Sequence, residues 1–201
     1  NIKWIKSVIL SNEEADSDVQ KGIAYKGIPH YIKEEDLNNL DLDNYYTTNE
    51  MPVQSCITFP KNGYKLENIK NVKNINKNKF TIKGYAYSGG GRGILRVDVS
   101  IDGGKTWMEA DLFEGNEQNK NTSWAWTLWK LEVEIPKMDN FFDDDYDVIN
   151  DISTVRYNNN KIEILCKATD SSYNTQPQTK ENIWNIRGIN NNSWHKVEVF
   201  L

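Results

Sequence analysis

Two arginines beside glycine are the positions of this chain best suited to anion chemistry. Arg187 lies in Asn182-Ile183-Trp184-Asn185-Ile186-Arg187-Gly188, between an apolar-aromatic run read as a strand and a glycine where the chain turns. Arg92 follows Gly89-Gly90-Gly91. A guanidinium presents a planar fork of donors that suits an oxyanion, so each carries two readings, a solvated surface charge or an anion-recognition group. The GxxxxGK[ST] spacing of a phosphate loop is absent, which argues against nucleotide binding.

Metal and thiol chemistry find less support. His30 and His195 stand apart from any cysteine or carboxylate cluster with ligand spacing, so no zinc site is expected. Cys56 and Cys166 are too few for a disulfide framework. Cys166 shares a face with Ile162, Ile164 and Ala168 and reads as a small buried hydrophobe. Reduced thiols fit a reducing compartment. Asp143-Asp144-Asp145 lacks the spaced oxygen ligands and turn glycine of a calcium loop.

The elements that must carry these residues are strands. Leu95, Val97, Val99 and Ile101 alternate with Arg96, Asp98 and Ser100, the period of a half-buried strand with the four apolar residues inward. Asp102-Gly103-Gly104 then supplies hairpin chemistry. Further strands are expected at Val53–Thr58, Lys79–Tyr87, Ile94–Ile101, Thr106–Leu112, Trp124–Ile135, Lys161–Thr169 and Trp194–Leu201. With no convincing helix, the pattern predicts an all-β, immunoglobulin-like (E-set) antiparallel β-sandwich over residues 51–201. The cysteine–tryptophan–cysteine signature of antibody domains is missing. Residues 1–50 show few regular patterns and read as an extended N-terminal arm, or as a linker without fixed structure. The asparagine-rich stretches 61–78 and 136–160 read as solvated loops.

One strand has an unusual outer face. Ala125, Thr127, Trp129, Leu131, Val133 and Ile135 make a consistent core side. The opposite side runs Trp124, Trp126, Leu128, then Lys130, Glu132, Glu134. A face that is aromatic for half its length needs cover, either from a loop or the arm, or from another chain. Partner contact through Trp124, Trp126 and Leu128 is the expectation taken forward.

Bulk properties narrow the classes. The 201 residues are 38% hydrophobic with a formal net charge of −5, enough for one core and contrary to a dedicated nucleic-acid binder. No apolar run approaches the roughly 20 residues of a membrane span, so a soluble, intracellular chain without membrane partners is expected. The opening Asn1-Ile2-Lys3-Trp4-Ile5 has neither an initiator methionine nor a signal pattern and reads as a cut within a longer protein.

Four separated blocks, KGYAYSGGGRGILRVDVSIDGGKTW, AWTLWKLEVEIP, ILCKATDSSYNTQP and IWNIRGINNNSWHKVEVF, together resemble the C-terminal dimerisation domain of the sulfite oxidase family. That molybdenum-cofactor family also includes assimilatory nitrate reductases. Met51-Pro52-Val53-Gln54-Ser55 is similar to the sulfite oxidase version of the domain's opening. The resemblance implies that residues 1–50 are the tail of the molybdenum domain plus a connecting arm, with Asn1, Ile2 and Lys3 contacting molybdopterin. It implies that Arg187 reaches the substrate oxyanion, and that the parent oxidises sulfite to sulfate as a homodimer. Electrons would pass to a haem domain or another acceptor, in an organelle lumen such as the mitochondrial intermembrane space. The family's cysteine ligand to molybdenum belongs to a domain absent here, so this stretch alone is expected to hold no cofactor and to be inactive. Cys56 stands where the family has a small aliphatic residue, and Asp18–Tyr25 departs from the usual aromatic- and arginine-rich version. The alternatives are the same domain of a nitrate reductase or other oxotransferase, and a free-standing β-sandwich binding domain.

Overall fold

The computed structural model describes residues 3–66, 79–119, 121–134 and 161–200. The end of the Trp124–Ile135 strand, the Asp143-Asp144-Asp145 run, the second polar stretch, most of the first, and Asn1 and Ile2 lie outside the described residues. The chain divides into two compact units, Met51–Thr179 with Asn192–Leu201, and Asn1–Glu50 with Lys180–Asn191.

The first unit is an all-β sandwich. Its strands are β1 (Gln54–Phe59), β2 (Tyr64–Lys65), β3 (Lys79–Tyr87), β4 (Ile94–Ser100), β5 (Met108–Glu109), β6 (Asp111–Glu114), β7 (Thr127–Glu134), β8 (Lys161–Asp170) and β9 (His195–Phe200). One sheet has the order β1-β3-β7-β6 and the other β2-β9-β8-β4-β5. Pairing is antiparallel throughout, except that β2 runs parallel to β9. Phe80, Ile82, Ala86, Trp129 and Val133 from one sheet meet Val97, Val99, Ile162, Ile164, Cys166, Ala168, Val197 and Val199 from the other. Alternation puts these side chains on the facing surfaces, and their burial is the main stabilising term.

Several local expectations are corrected. Leu95 is exposed and Ile94 buried, because a register shift between Ile94 and Arg96 turns the strand's first residues over. Ala125 is exposed rather than core; its amide donates to Gln118 Oε1 at 2.8 Å in the segment before β7 begins. The expected strand Thr106–Leu112 is two strands in different sheets, with the chain crossing at buried Ala110. Tyr64–Lys65 pairs with β9 where a loop was expected.

The hairpin after β4 forms as expected, with β4 and β5 paired across it. Gly103 and Gly104 have φ of 71° and 89°, the region that only glycine enters cheaply. Asp102 holds the turn, accepting from the Lys105 and Thr106 amides, from Thr106 Oγ1 at 2.6 Å and from Ser100 Oγ at 2.7 Å.

The second unit contains the short helix α1 (Asp18–Lys21), capped by Ser17, three 3₁₀ segments of three to six residues within residues 23–44, and one β-bridge between Lys26 and Thr47. Among its described residues only Lys26 and Ile28 are buried. Trp4, Ile5, Val8, Ile9 and Leu10 are exposed, Trp4 to 98%.

Candidate functional site: an exposed arginine turn and a two-part sheet face

Arg187 sits at the tip of a braced turn. No strand precedes it: Asn182–Ile186 has no ladder pairing, which corrects the expected apolar-aromatic strand. The Gly188 amide donates to the Asn185 carbonyl at 2.9 Å, and Gly188 takes a φ of 64°. The Asn185 carboxamide grips Ile189 twice, Nδ2 donating to its carbonyl at 2.8 Å and Oδ1 accepting its amide at 3.3 Å. Past the turn, Asn190 Nδ2 donates to Thr48 Oγ1 at 3.0 Å, and the Thr48 amide donates to the Tyr25 carbonyl at 2.8 Å. Arg187 itself is exposed. A guanidinium held out this way can accept an oxyanion without first leaving an internal partner.

Arg92 has a different environment. Its Nε lies 3.3 Å from Asp170 Oδ2 and 3.3 Å from Ser88 Oγ. Asp170 is fully buried and also accepts from Ser88 Oγ, Asn174 Nδ2 and the Ser172 and Asn174 amides. Burial alone would push that carboxyl up, but the Asn174 and Ser88 hydrogen bonds hold it below the usual carboxylate range. Arg92 therefore clamps its glycine-rich turn onto the sandwich, so the solvated and anion-binding readings both give way to an internal ion pair.

The outer face of the β1-β3-β7-β6 sheet is divided. Toward one end Trp126 stacks on Tyr85, centroids 4.2 Å apart and planes 22° from parallel, with Leu128 opposite Tyr85 in the β3–β7 register. Trp124, Trp126 and Phe113 are exposed. Toward the other end Lys79 faces Glu134, Thr81 faces Glu132 and Lys83 faces Lys130. On the second sheet, Lys167 Nζ lies 3.9 Å from the Trp107 ring centroid and 5.1 Å from that of Trp194, while Phe200 at the end of β9 is exposed. Trp124 and Trp126 are thus exposed beside the first sheet, where the sequence pattern places them.

The thiols are unsuited to metal. Cys166 is completely buried, as expected of a small hydrophobe, and burial pushes its thiol up to about 12. Burial also raises Cys56, whose hydrogen bond with Tyr85 opposes the shift only in part. No group of three or more His, Cys, Asp or Glu could hold a metal ion among the described residues. Lys3 is exposed in a segment without regular secondary structure. No helix among the described residues is long and apolar enough to cross a membrane.

Sequence reasoning singled out Arg187 but missed Asn185, Thr48 and Asn190. Their only signal is their type, since asparagine readily bonds main chain near turns.

Comparison with known proteins bears on these features. The chain is 38% identical over 201 residues to mitochondrial sulfite oxidase of Macaca fascicularis, covering all of this chain and 31% of that protein. It is 34% identical over 206 residues to nitrate reductase [NADH] 1 of Oryza sativa subsp. japonica, covering 98% of this chain and 19% of that protein. The chain thus spans a third or less of these curated relatives. The crystal structure of the sulfane dehydrogenase SoxCD from Paracoccus pantotrophus is similar in fold, with a TM-score of 0.52 and 24% identity over 90% of this chain and 35% of that one. Residues 45–201 match the model of the Mo-co oxidoreductase dimerisation domain. With that match across most of its length, and an all-β sandwich of two sheets over the same residues, the chain belongs to the Mo-co oxidoreductase dimerisation domain family.

Proposed function

We propose that this chain is the dimerisation segment of a sulfite-oxidase-like molybdenum enzyme, and that Arg187 is its contribution to substrate binding. The observation that carries the reading is an exposed guanidinium on a turn whose main chain is fixed by Asn185. In the parent reaction, sulfite and water become sulfate with release of two protons and two electrons. The metal centre supplies that chemistry when bound. Arg187 binds and orients the doubly charged oxyanion by charge-assisted hydrogen bonds. The electrons leave to a haem domain or another acceptor. Lys3, with Asn1 and Ile2, belongs to the end of the molybdenum domain and touches the pterin.

The exposure of Trp4, Ile5, Val8, Ile9 and Leu10, in a unit where only Lys26 and Ile28 are buried among the described residues, supports cover by a neighbouring surface. The sandwich, read as immunoglobulin-like, pairs with a second copy through Trp124, Trp126 and Leu128. The mitochondrial name of the Macaca relative supports an organellar location. The rice nitrate reductase match favours one competing reading, the same domain in a nitrate-reducing parent.

Steady-state kinetics of the parent holoenzyme with sulfite and with nitrate separate the two. With Arg187→Met, the sulfite KM rises on the order of 10–100-fold at unchanged molybdenum content. An unchanged KM removes Arg187 from the site.

A further inference from the structure

We infer that Asn185 is the positioning residue for Arg187, an inference that rests on the reading of Arg187 as the oxyanion-binding group. Among the described residues the structure gives the Arg187 side chain no hydrogen bond or ion pair, so the main chain beneath it sets where the guanidinium stands. That main chain is fixed in one place. The Asn185 carboxamide exchanges a donor and an acceptor with the backbone of Ile189, at 2.8 and 3.3 Å. This reproduces with a side chain the reciprocal pair that two opposed residues make in an antiparallel ladder. The backbone bond from the Gly188 amide to the Asn185 carbonyl closes the turn from inside.

Ile186, Arg187 and Gly188 are the three residues left at the tip. Gly188 needs its left-handed φ of 64° for the chain to come back on itself. The exit is anchored separately through Asn190 and Thr48. Loss of the carboxamide would therefore loosen the tip while leaving its exit tied. An arginine fork discriminates by geometry as well as charge, and a displacement of about 1 Å is costly to a bidentate contact.

The test uses the parent holoenzyme with sulfite as the probe. Asn185→Ala raises the sulfite KM about tenfold and changes kcat by less than about twofold, as expected for ground-state binding lost through misplacement. In the Arg187→Met background the same change adds nothing, because Asn185 acts only through Arg187. Amide hydrogen exchange at Ile189 accelerates in Asn185→Ala and not in Arg187→Met. Should Asn185→Ala lower the yield of loaded enzyme, Asn185→Ser, which stays polar but is one atom too short to hold both bonds to Ile189, is measured in the same way. If Arg187→Met leaves the KM unchanged, the reading of the site fails. If Arg187→Met raises it while the Asn185 variants exchange faster at an unchanged KM, or raise KM equally without Arg187, the positioning role alone is overturned.

Discussion

Gly84 and Trp129 are directly opposed in the β3–β7 register, and the Trp129 ring occupies the space a side chain at Gly84 would need. A Cβ there would overlap the ring and the Cys56 carbonyl together. The largest fully buried side chain of the sandwich is therefore seated by the absence of one across from it.

Gly84→Ala is accordingly expected to destabilise the chain by about 3 kcal/mol, the upper end of overpacking costs. Thermal unfolding followed by tryptophan fluorescence checks this. A melting temperature within a degree of wild type would show that the sheets part easily enough to admit a methyl group.

Asp170 links stability to acid. Its carboxyl is held low by hydrogen bonds despite burial, so its contribution is complete above the ordinary carboxylate value and is lost as pH falls through the lower folded value. Asp102, held low by Thr106, Ser100 and Lys105 against burial, acts in the same sense and window. Asp170→Asn should cost about 2–4 kcal/mol at neutral pH by removing the carboxylate of the Arg92 ion pair and crowding donors around an amide. The acid limb of the stability–pH curve should flatten in step. Chemical denaturation at pH 3 to 7 measures both.

His195 should titrate in a separate window. Its Nδ1 accepts the Ile57 amide at 3.2 Å, joining β9 of one sheet to β1 of the other. That bond requires an unprotonated Nδ1, and burial lowers the imidazole below its usual value of 6.5. The stabilisation is thus full above about 6.5 and declines as pH falls through the folded value. His195→Gln should remove this slope between pH 7 and 5. Nitrogen NMR should find the proton on Nε2 at pH 7.5; a protonated Nδ1 at that pH would contradict the structure.

Trp126→Asp should halve the mass seen by light scattering, since a carboxylate on the aromatic patch must be desolvated when a partner covers it. Glu132→Gln, on the charged end, is the control expected to leave the mass alone. A dimer that survives Trp126→Asp would move the interface elsewhere.

Much of this architecture is readable in the chain because alternation is readable. β3 spans Lys79–Tyr87 as its pattern predicts, and Cys166 lies on the buried face with Ile162, Ile164 and Ala168. What escapes is whatever depends on one residue of register. Leu95 obeys the period yet points outward because of the bulge, and a strand of two residues such as Tyr64–Lys65 has no period to detect. The brace behind Arg187 escapes for another reason. It is a contact between side chain and main chain, and hydropathy carries no record of it.

The division of the first sheet's outer face also constrains symmetry. If two copies pair two-fold through this face, the residues near the axis meet their own images, so the axis must choose an end. Placed near Trp126, it puts aromatic against aromatic and leaves Lys83 and Lys130 of both copies at the rim, hydrated and apart. Shifted toward Lys130, it would bury four lysines against one another. If two copies pair through this face, the cross-strand neighbours Lys83 and Lys130 would act as an address that disfavours the other registration.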